Sequence, residues 1–456
     1  MKLGVVILAA GQGTRMKSAL PKVLHPLAGR PLVAHVIATA RELGAAKIAV
    51  VYGHGGEQVP IEVAESELAW VEQSEQLGTG HAVGQAMQEM QEMDRVLVLY
   101  GDVPLTSSET LDKLINTANK MDLVLLTVNL TNPSGYGRIV RKADGRVSRI
   151  VEQKDASAEE LALNEVNTGI LVADRIRLDG WIERLDSDNA QGEFYLTDIV
   201  AIAVADGIEV QAAQPSNESE VMGVNDRVEL ASLERYYQQM QAERLMRSGV
   251  TLLDPARFDL RGSLNAGQDV VIDINVLIEG TVELGDNVRV DANTVIRNSR
   301  IAEGVWIKEN CVIEDAVIGK ESIIGPFSRL RPETELAERV HVGNFVEIKK
   351  SIVDVGSKIN HLTYIGDCTI GRTVNVGAGT ITCNYDGANK FRTVIGDGAF
   401  IGSATQLVAP VEVKSGATIG AGSTITRDAP PDTLTLSRAK QMSFRSWTRP
   451  TKKTKE

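Results

Sequence analysis

Cysteine is scarce in this chain of 456 residues. The three cysteines, Cys311, Cys368 and Cys383, lie far apart and are odd in number, so their spacing suggests neither a disulfide framework nor a paired set of metal ligands. This cysteine usage is typical of proteins in a reducing compartment. We therefore expect a cytoplasmic protein.

Long apolar runs and an excess of positive charge are also missing. The first apolar run, from Val5 to Ala10, is too short for the core of a signal peptide and is broken at Gly11. No run reaches the length of a membrane-spanning helix. The formal net charge of -12 argues against a protein that coats nucleic acid or an anionic membrane. The composition therefore predicts a soluble protein without nucleic-acid or membrane partners.

The first half of the chain alternates apolar strands with helical stretches. Continuous apolar strands are indicated at Val5–Leu8, Ile48–Val51 and Val96–Leu99. Strands separated by helices at this spacing predict a parallel, Rossmann-like α/β sheet. Ligands of such sheets bind beyond the carboxyl ends of the strands, which is where Gly11 and Asp102 fall.

A helix is predicted between Asp226 and Ser248, where apolar residues recur every three or four positions. This helix either packs on the first domain or connects two domains, and the change in sequence texture after it favours a connection. We assign residues 1–226 to the first domain, 227–248 to a linker helix, and 249–456 to a second domain with a C-terminal tail.

The second domain carries a six-residue period. An aliphatic residue holds one position in successive hexads, as in Ile324, Leu330, Leu336, Val342 and Ile348, and again in Ile395, Ile401, Leu407, Val413, Ile419 and Ile425. This period is typical of a parallel β-helix whose coil has three flat faces. It is interrupted at Lys349–Tyr364 and at the polar loop Cys383–Arg392. Departures from a structural repeat are where we expect function.

The sharpest local motif follows the first strand, where the chain reads Leu8-Ala-Ala-Gly-Gln-Gly-Thr-Arg-Met16, with Pro21 and Lys22 soon after. Glycines let the backbone curl so that its N–H groups face an anion. Arg15 and Lys22 add positive charge there. A dinucleotide-binding turn is the obvious alternative, but no third glycine completes that fingerprint. The motif therefore predicts a place where a triphosphate and a sugar phosphate meet.

This motif resembles that of sugar-1-phosphate nucleotidyltransferases. Further matching motifs follow in order: Gln73 with Gln76-Leu-Gly-Thr-Gly-His81, Tyr100-Gly-Asp-Val-Pro104, Gly135-Tyr-Gly-Arg138, Val151-Glu-Gln-Lys154, Asn167-Thr-Gly-Ile170 and Gly223-Val-Asn225. Together with the β-helix, they cover nearly the whole chain. On these motifs the chain resembles the family of bacterial bifunctional N-acetylglucosamine-1-phosphate uridyltransferase/glucosamine-1-phosphate acetyltransferases.

The resemblance implies a bifunctional enzyme of UDP-N-acetylglucosamine synthesis, which supplies precursors of peptidoglycan and lipopolysaccharide. The β-helix, left-handed in that family, would transfer an acetyl group from acetyl-CoA to glucosamine 1-phosphate. The first domain would then transfer a uridylyl group from UTP to N-acetylglucosamine 1-phosphate and release pyrophosphate. The resemblance also implies Mg²⁺ as a cofactor and a homotrimer with acetyl-CoA bound between neighbouring subunits.

One set of residues in the first domain matches the family's UTP and UDP-N-acetylglucosamine site. It comprises Leu8, Ala9, Ala10, Gly11, Lys22, Gln73, Gly78, Thr79, Tyr100, Gly101, Asp102, Gly137, Glu152, Asn167 and Asn225. By the resemblance, Gln73 would pair with the base through both halves of its amide. Gly137, Glu152 and Asn167 would hold the sugar.

The resemblance also assigns the metal and the catalytic charges of the first domain. Asp102 and Asn225 would hold Mg²⁺, which prefers oxygen ligands, although the neighbouring Asp226 is an alternative to Asn225. Lys22 and Arg15 would be catalytic, because they relieve the charge repulsion as the anionic sugar phosphate attacks the α-phosphorus of UTP.

A second set matches the family's site for glucosamine 1-phosphate and acetyl-CoA. It comprises Arg331, Glu347, Lys349, Tyr364, Asn375, Ala378, Asn384, Tyr385, Lys390, Ser403, Ala421 and Arg438. His361 would be the general base that takes a proton from the substrate amine, a role that suits imidazole. Asn384 would act beside the acetyl group. Arg331, Lys349 and Lys390 would clamp the sugar phosphate.

Two other functions are compatible with the same folds. The chain could be a nucleotidyltransferase whose β-helix only oligomerises, which His361 and the loop Cys383–Arg392 argue against. It could also be a scaffold without activity, which the presence of Lys22, Asp102 and His361 together argues against. An assay for release of coenzyme A separates the first of these from a bifunctional enzyme.

Overall fold

The chain folds into two units, Met1–Gln238 and Gln239–Glu456. The structure is a computed structural model that describes residues 1–11, 13–53, 56–64 and 67–452. Gln12 of the glycine turn and the last four residues of the predicted tail lie outside the described residues. Among the described residues, no helix is both long enough and apolar enough to span a lipid bilayer.

The first unit is an α/β domain. Its strands are β1 (Leu3–Ala9), β2 (Pro26–Leu27), β3 (Arg30–Pro31), β4 (Lys47–Gly53), β5 (Ala69–Gln73), β6 (Arg95–Tyr100), β7 (Leu123–Asn129), β8 (Arg138–Arg141), β9 (Val147–Val151), β10 (Glu165–Asp174) and β11 (Val210–Ala213). The α-helices are α1 (Leu32–Glu42), α2 (Gln58–Val63), α3 (Thr79–Ala86), α4 (Ser108–Ala118), α5 (Ala158–Leu161), α6 (Arg175–Ile182), α7 (Ile199–Ala205) and α8 (Arg227–Arg247), the last of which continues into the second unit. Short 3-10 turns lie at Thr14–Met16, Lys22–Leu24, Met87–Met90, Leu196–Asp198 and Glu218–Val221.

The main sheet has the strand order β11-β7-β10-β6-β1-β4-β5, and the β8–β9 hairpin is attached to β10. Strand β1 pairs in parallel with both β4 and β6, so Leu8 stands opposite Tyr100. Strand β10 runs antiparallel to β6 and β7, so the sheet is mixed, whereas the three strands predicted from the sequence, β1, β4 and β6, run parallel to one another as expected. A strand buried on both faces has the same apolar pattern in either direction, so its direction cannot be read from its sequence. The carboxyl ends of β1 and β6 still share one edge.

The central strands are apolar throughout because both of their faces are covered. Every residue of β1 is buried. Val5 and Ile7 pack in one cluster with α1 and α4, whereas Val6 and Leu8 pack in another with α3 and α7. A continuous apolar run is what such a doubly covered strand requires.

Helix α8 contributes to both units. In its first half, Leu233 packs in one cluster with Met16 and Leu27. In its second half, Ala242 and Leu245 join the core of the second unit. The two halves of α8 therefore belong to the cores of different units.

The second unit is a parallel β-helix. Its strands are β12 (Thr251–Leu252), β13 (Phe258–Ala266), β14 (Val271–Ile272), β15 (Val276–Leu284), β16 (Arg289–Val290), β17 (Val295–Arg297), β18 (Arg300–Ile301), β19 (Trp306–Ile307), β20 (Val312–Glu314), β21 (Ala316–Ile318), β22 (Ile323–Ile324), β23 (Arg329–Leu330), β24 (Thr334–Leu336), β25 (His341–Lys349), β26 (Ser351–Val353), β27 (Lys358–Gly366), β28 (Cys368–Ile370), β29 (Asn375–Val376), β30 (Ile381–Cys383), β31 (Thr393–Ile395), β32 (Phe400–Ile401), β33 (Gln406–Val408), β34 (Val411–Val413), β35 (Thr418–Ile419), β36 (Thr424–Ile425) and β37 (Leu434–Thr435). A 3-10 turn lies at Pro255–Arg257.

The coils follow from the six-residue period. Strands of successive coils pair residues 17 or 18 positions apart, as in β19 with β22 and β13 with β15, which is three hexads or one residue fewer. The repeated aliphatic residues, such as Val342 and Ile348, point inward and are buried. Between Cys368 and Thr393 the offset grows to 25 positions, because the loop Cys383–Arg392 is inserted in that coil.

Each coil bends at corners where a residue has a positive φ. One corner, which we call the histidine corner, is marked by Phe327, Phe345, Leu362, Gly379 and Ala404. A second, which we call the loop corner, is marked by Glu333, Lys350 and Asp367. Backbone hydrogen bonds join the coils at both corners, from the N–H of Phe345 to Phe327 and from that of Asp367 to Lys349, each 3.1 Å long. The two corners stand at opposite ends of one flat face.

Candidate active sites

The first candidate site is a cavity of about 350 Å³ at the carboxyl ends of β1 and β6. It is lined by Leu8, Ala9, Ala10, Gly11, Lys22, Val23, Gln73, Gln76, Gly78, Thr79, Ala82, Tyr100, Asp102 and Glu193. The sequence did not assign Val23, Gln76, Ala82 or Glu193, although Gln76 stands within a matching motif. The predicted residues outside this lining are Arg15, Gly101, Gly137, Glu152, Asn167 and Asn225.

Two glycines give the loops around the cavity their shape. Gly13 has a φ of 59°, and a Cβ atom there would lie 2.6 Å from the Cβ atom of Lys22. Gly78 has a φ of 113°, and a Cβ atom there would lie 2.6 Å from the carbonyl oxygen of Phe194. Both positions therefore require glycine. Gly11 is different, because a Cβ atom there would meet open space and reduce the room for a ligand.

Two basic and two oxygen-bearing side chains meet beside the cavity. The Lys22 ammonium forms an ion pair with Asp102 Oδ2 and lies 3.4 Å from Asn225 Oδ1. Arg15 Nη2 donates to the same Asn225 oxygen at 2.8 Å. The N–H of Val224 donates to the Asp102 carbonyl at 2.9 Å, which brings the Asn225 segment alongside Asp102. Four predicted residues are thus joined in one network of contacts.

Asp102 and Asn225 fit the requirements of a divalent cation. Their side-chain oxygens both face the Lys22 ammonium, and Mg²⁺ takes carboxylate and amide oxygens together with waters and substrate phosphates. Asp226 is engaged elsewhere, because its Oδ1 accepts hydrogen bonds from the N–H groups of Val228 and Glu229 at the start of α8. The geometry therefore favours Asn225 over Asp226. In the part of the chain that is described, no group of three or more His, Cys, Asp or Glu residues is arranged to hold a metal.

The amide of Gln73 is already engaged inside the protein. Its Nε2 donates to the carbonyl oxygen of Gly78 at 3.0 Å and lies 3.1 Å from His81 Nδ1. Gln76 Nε2 donates to the carbonyl oxygen of Ala10 at 2.8 Å and so ties two walls of the cavity together. Pairing of a base with both halves of the Gln73 amide would require these internal bonds to open.

The three residues predicted to hold the sugar lie together. The N–H of Asn167 donates to the Gly137 carbonyl at 2.9 Å, and a Cβ atom on Gly137 would lie 3.3 Å from Glu152 Oε1. The Thr197 hydroxyl donates to the same Glu152 oxygen at 3.1 Å. Burial raises the pKa of Glu152 above its usual value. Nothing in the sequence pointed to Thr197.

The Asn167-Thr-Gly-Ile170 motif packs against the ring of Tyr100. A bulge in β10 places Gly169 against the Tyr100 ring, and with a φ of 84° any Cβ atom there would clash with that ring. Asn167 Oδ1 fixes the bulge by accepting from the Gly169 N–H at 3.1 Å. Gly101 lies next to Tyr100, where its N–H donates to the Leu8 carbonyl at 2.8 Å. Burial raises the pKa of Tyr100 well above its usual range.

The second candidate site includes the histidine corner of the β-helix. His361 Nδ1 lies 2.9 Å from Oδ1 of Asn344, which occupies the equivalent position in the preceding coil. With the amide oxygen as acceptor, Nδ1 carries the hydrogen and Nε2 keeps the lone pair that a base needs. Asn375 lies in β29, on the strand that leads to this corner in the next coil. Asn344 was not assigned from the sequence, because the six-residue period predicts coils of 18 residues, whereas the coil that joins Asn344 to His361 has 17.

Four residues of the second predicted set lie at the histidine corner in the coils that follow His361. Ala378 follows His361 in the next coil, and the N–H of Ala404 donates to its carbonyl oxygen at 2.7 Å. Ser403 and then Ala421 occupy the same position in the two coils after that. Arg438 Nη1 donates to the Ala421 carbonyl at 2.8 Å. These four predicted residues therefore form one column below His361.

Three predicted cations gather at the loop corner. Arg331 Nη1 pairs with Glu347 Oε1 at 2.9 Å. Lys390, from the inserted loop, lies against Lys349 and lowers the pKa of Lys349 below its usual value, and the charge of Arg331 lowers it further. Such crowding of positive charge is relieved by a bound anion. The arrangement suits a phosphate group.

The predicted polar residues Tyr364 and Asn384 lie beside this cluster. A Cβ atom on Gly366 would clash with both the Tyr364 hydroxyl and the Asn384 amide, so the two groups converge over Gly366. Asn384 Nδ2 donates to Asp367 Oδ2 at 2.5 Å. Tyr385 is exposed and forms an antiparallel bridge with Lys390 across the inserted loop. The loop is thus ordered by contacts of its own.

Within one chain, these residues fall into two separate groups. His361 stands at the histidine corner, whereas Lys349, Asn384 and Lys390 stand at the loop corner. The six residues from His361 to Gly366 run along the face between the corners, a span of roughly 15 Å. A single chain therefore does not bring the imidazole to the cation cluster.

Three domain families match the chain, one within the first unit and two within the second. The MobA-like NTP transferase domain matches residues 5–151, the GMPPB C-terminal domain matches 260–353, and the bacterial transferase hexapeptide (six repeats) matches 392–427. These matches confirm the predicted fold class, a Rossmann-like nucleotidyltransferase domain followed by a left-handed parallel β-helix.

Three relatives that match the chain over nearly its whole length carry the same name. The chain is 57% identical to the "Bifunctional protein GlmU" of Janthinobacterium sp. (strain Marseille) over 99% of each chain. It is 59% identical to that of Azoarcus sp. (strain BH72), over 98% of this chain and 99% of the relative. It is 57% identical to that of Ralstonia pickettii (strain 12J) over 100% of both. Since identity at this level spans both units, the chain belongs to the family of bifunctional GlmU proteins.

Proposed function

We propose that the residues described above carry out the two steps of a bifunctional synthesis of UDP-N-acetylglucosamine. The β-helix acetylates glucosamine 1-phosphate with acetyl-CoA, and the first unit joins the product to the uridylyl group of UTP. One observation carries the proposal: a single chain holds both a cavity flanked by basic residues at the strand ends and an imidazole with an available Nε2 on a β-helix.

In the uridylyl transfer, the attacking group is already an anion. The phosphate oxygen of N-acetylglucosamine 1-phosphate attacks the α-phosphorus of UTP, the bond to the β-phosphate breaks, and pyrophosphate leaves. No base is needed, so the barrier is the repulsion between like charges, which Lys22 and Arg15 reduce. Mg²⁺ on Asp102 and Asn225 would neutralise phosphate charge further. Gly137, Glu152 and the backbone of Asn167 form the wall proposed for the sugar.

In the acetyl transfer, His361 removes a proton as the amine attacks. Nε2 of His361 accepts the proton of the substrate nitrogen, and the nitrogen bonds to the thioester carbon. The carbon–sulfur bond then breaks, and the imidazolium returns the proton to the sulfur, so that coenzyme A leaves as a thiol and the base is regenerated. The Asn344 oxygen holds the imidazole in the tautomer this step needs. Arg331, Lys349 and Lys390 clamp the sugar phosphate.

We propose that the acetyl-transfer site is completed between copies of the chain in a homotrimer. The two residue groups are separated along one face, so the His361 of one copy is positioned to serve the loop corner of a neighbour. Phe327, Phe345 and Leu362, at the histidine corner, are 49%, 55% and 63% exposed, and the two phenylalanine rings stack at 5.3 Å. An exposed apolar ladder of this kind is typical of an interface. A closed ring of three copies would bury it.

A mixing experiment tests the shared site. Coexpressed His361→Ala and Lys390→Ala chains should form mixed trimers with about a quarter of the wild-type acetyl-transfer rate, because a random pairing leaves that share of sites with both native residues. Either variant alone should be close to inactive in this reaction, and sedimentation should give a mass of three chains. A mixture no more active than its parents would show that each site lies within one chain.

Mass analysis of products tests the whole function. Purified protein incubated with glucosamine 1-phosphate, acetyl-CoA, UTP and Mg²⁺ should produce UDP-N-acetylglucosamine, pyrophosphate and free coenzyme A. Omission of acetyl-CoA should stop the synthesis, and addition of N-acetylglucosamine 1-phosphate should restore it. Absence of both nucleotide sugar and free thiol would refute the proposal. We also propose a cytoplasmic location, with which the three free cysteines agree.

A further inference from the structure

The Lys22 ammonium contacts both of the side chains that are proposed as metal ligands. Its ammonium forms an ion pair with Asp102 Oδ2 and lies 3.4 Å from Asn225 Oδ1, which are the two oxygens proposed as metal ligands. The side chains of Lys22 and Asp102 are only 13% and 18% exposed, so solvent and salt screen this contact weakly. Arg15 Nη2 occupies the Asn225 oxygen as well, at 2.8 Å.

A divalent ion and this ammonium cannot share the two oxygens. A cation bound to both would lie within a few ångströms of Nζ, where a +2 and a +1 charge repel strongly in a poorly screened site. Lysine has a long flexible stem, so its ammonium is able to move away while the backbone stays in place. Displacement requires another anion that accepts the ammonium, and the phosphates of a nucleotide supply one in the adjoining cavity.

We propose that Lys22 acts as an internal cation that holds Asp102 and Asn225 together and gives way when the metal enters with the nucleotide. The inference rests on the proposed function, because it uses the metal ligands assigned there. The freed ammonium then contacts the phosphates, so one side chain serves the site in two successive positions. It follows that metal and nucleotide strengthen each other's binding, since coupling between two ligands is reciprocal.

Binding of Mn²⁺, followed by electron paramagnetic resonance without any turnover, tests this displacement. In the absence of nucleotide, Lys22→Met should bind Mn²⁺ about tenfold more tightly than the wild type, because the competing cation is gone. Addition of a non-hydrolysable UTP analogue should tighten Mn²⁺ binding to the wild type more than to the variant. Equal or weaker Mn²⁺ binding by nucleotide-free Lys22→Met would overturn the inference.

Three controls separate displacement from other effects. Lys17→Met removes the same charge from an exposed lysine in the same segment and should leave Mn²⁺ binding unchanged; an equal gain there would reduce the effect to general electrostatics and overturn the inference. Asp102→Asn combined with Lys22→Met should abolish the tight binding. If the double variant still binds Mn²⁺ tightly, the metal ligands of the proposed function are wrong. If Lys22→Met binds Mn²⁺ no more tightly than the wild type, while Mn²⁺ binding still depends on Asp102, only the displacement is rejected. Lys22→Gln repeats the test if Lys22→Met fails to fold.

Discussion

The variant His361→Ala should lose acetyl transfer by a factor of about 10²–10⁴, the usual contribution of a general base. Without the imidazole, no group at the histidine corner takes the proton of the attacking amine, and water does so poorly. Uridylyl transfer should stay close to that of the wild type, because the residues proposed for it all belong to the other unit. Separate assays of coenzyme A release and of pyrophosphate release measure the two effects.

Two further variants make the result for His361 specific. Asn344→Ala should lower acetyl transfer by less than His361→Ala does, because it releases the imidazole from its fixed tautomer without removing it. His341→Ala, in the same strand β25 as Asn344, should leave both activities intact. If His361→Ala keeps its acetyl transfer, or loses both activities while remaining folded, the assignment of the base is wrong.

The β-helix was predictable because one physical requirement recurs in every hexad. Residues such as Ile324 and Val342 must each fill the interior of a coil, so the period is visible without any knowledge of distant contacts. The direction of β10 was not predictable, since burial on both faces leaves no directional signal in its residues. The inserted loop Cys383–Arg392 was visible as an interruption of the period.

The two sites were predictable to different degrees. The glycine motifs revealed the cavity because Gly13 and Gly78 satisfy local backbone demands that show in the sequence. Thr197 and Glu193 were missed because their contacts join segments far apart in the chain. Asn344 was also missed, because the coil that places it beside His361 is one residue shorter than the three hexads that the sequence predicts.

Internal bonds of the folded chain add a second role to two residues predicted for the first site. Gln73 was expected to present its whole amide to a base, but Nε2 is engaged with Gly78 and His81. Lys22 is expected to face phosphates, and it also forms an ion pair with Asp102. The residue type reveals the chemistry that a side chain is capable of, whereas its partners within the protein depend on the folded neighbourhood.

The variant Asp102→Asn should lower uridylyl transfer by at least about 10²–10³-fold, with acetyl transfer unchanged. Asparagine keeps the shape and one acceptor oxygen, so the variant removes the negative charge that a divalent ion needs while it preserves the packing after β6. The loss should appear as a failure to respond to Mg²⁺, which a titration of pyrophosphate release against Mg²⁺ measures.

The matched control is Asp226→Asn, which removes the rival carboxylate. Asparagine is as good an N-cap as aspartate, so α8 should remain intact and the Mg²⁺ response should match that of the wild type. If Asp226→Asn abolishes the Mg²⁺ response and Asp102→Asn does not, our assignment of Asp102 as the metal ligand is wrong. The segments that carry the two carboxylates are neighbours, because the N–H of Val224 donates to the carbonyl oxygen of Asp102 at 2.9 Å. The pair of variants therefore distinguishes a carboxylate that caps a helix from a nearby one that binds an ion.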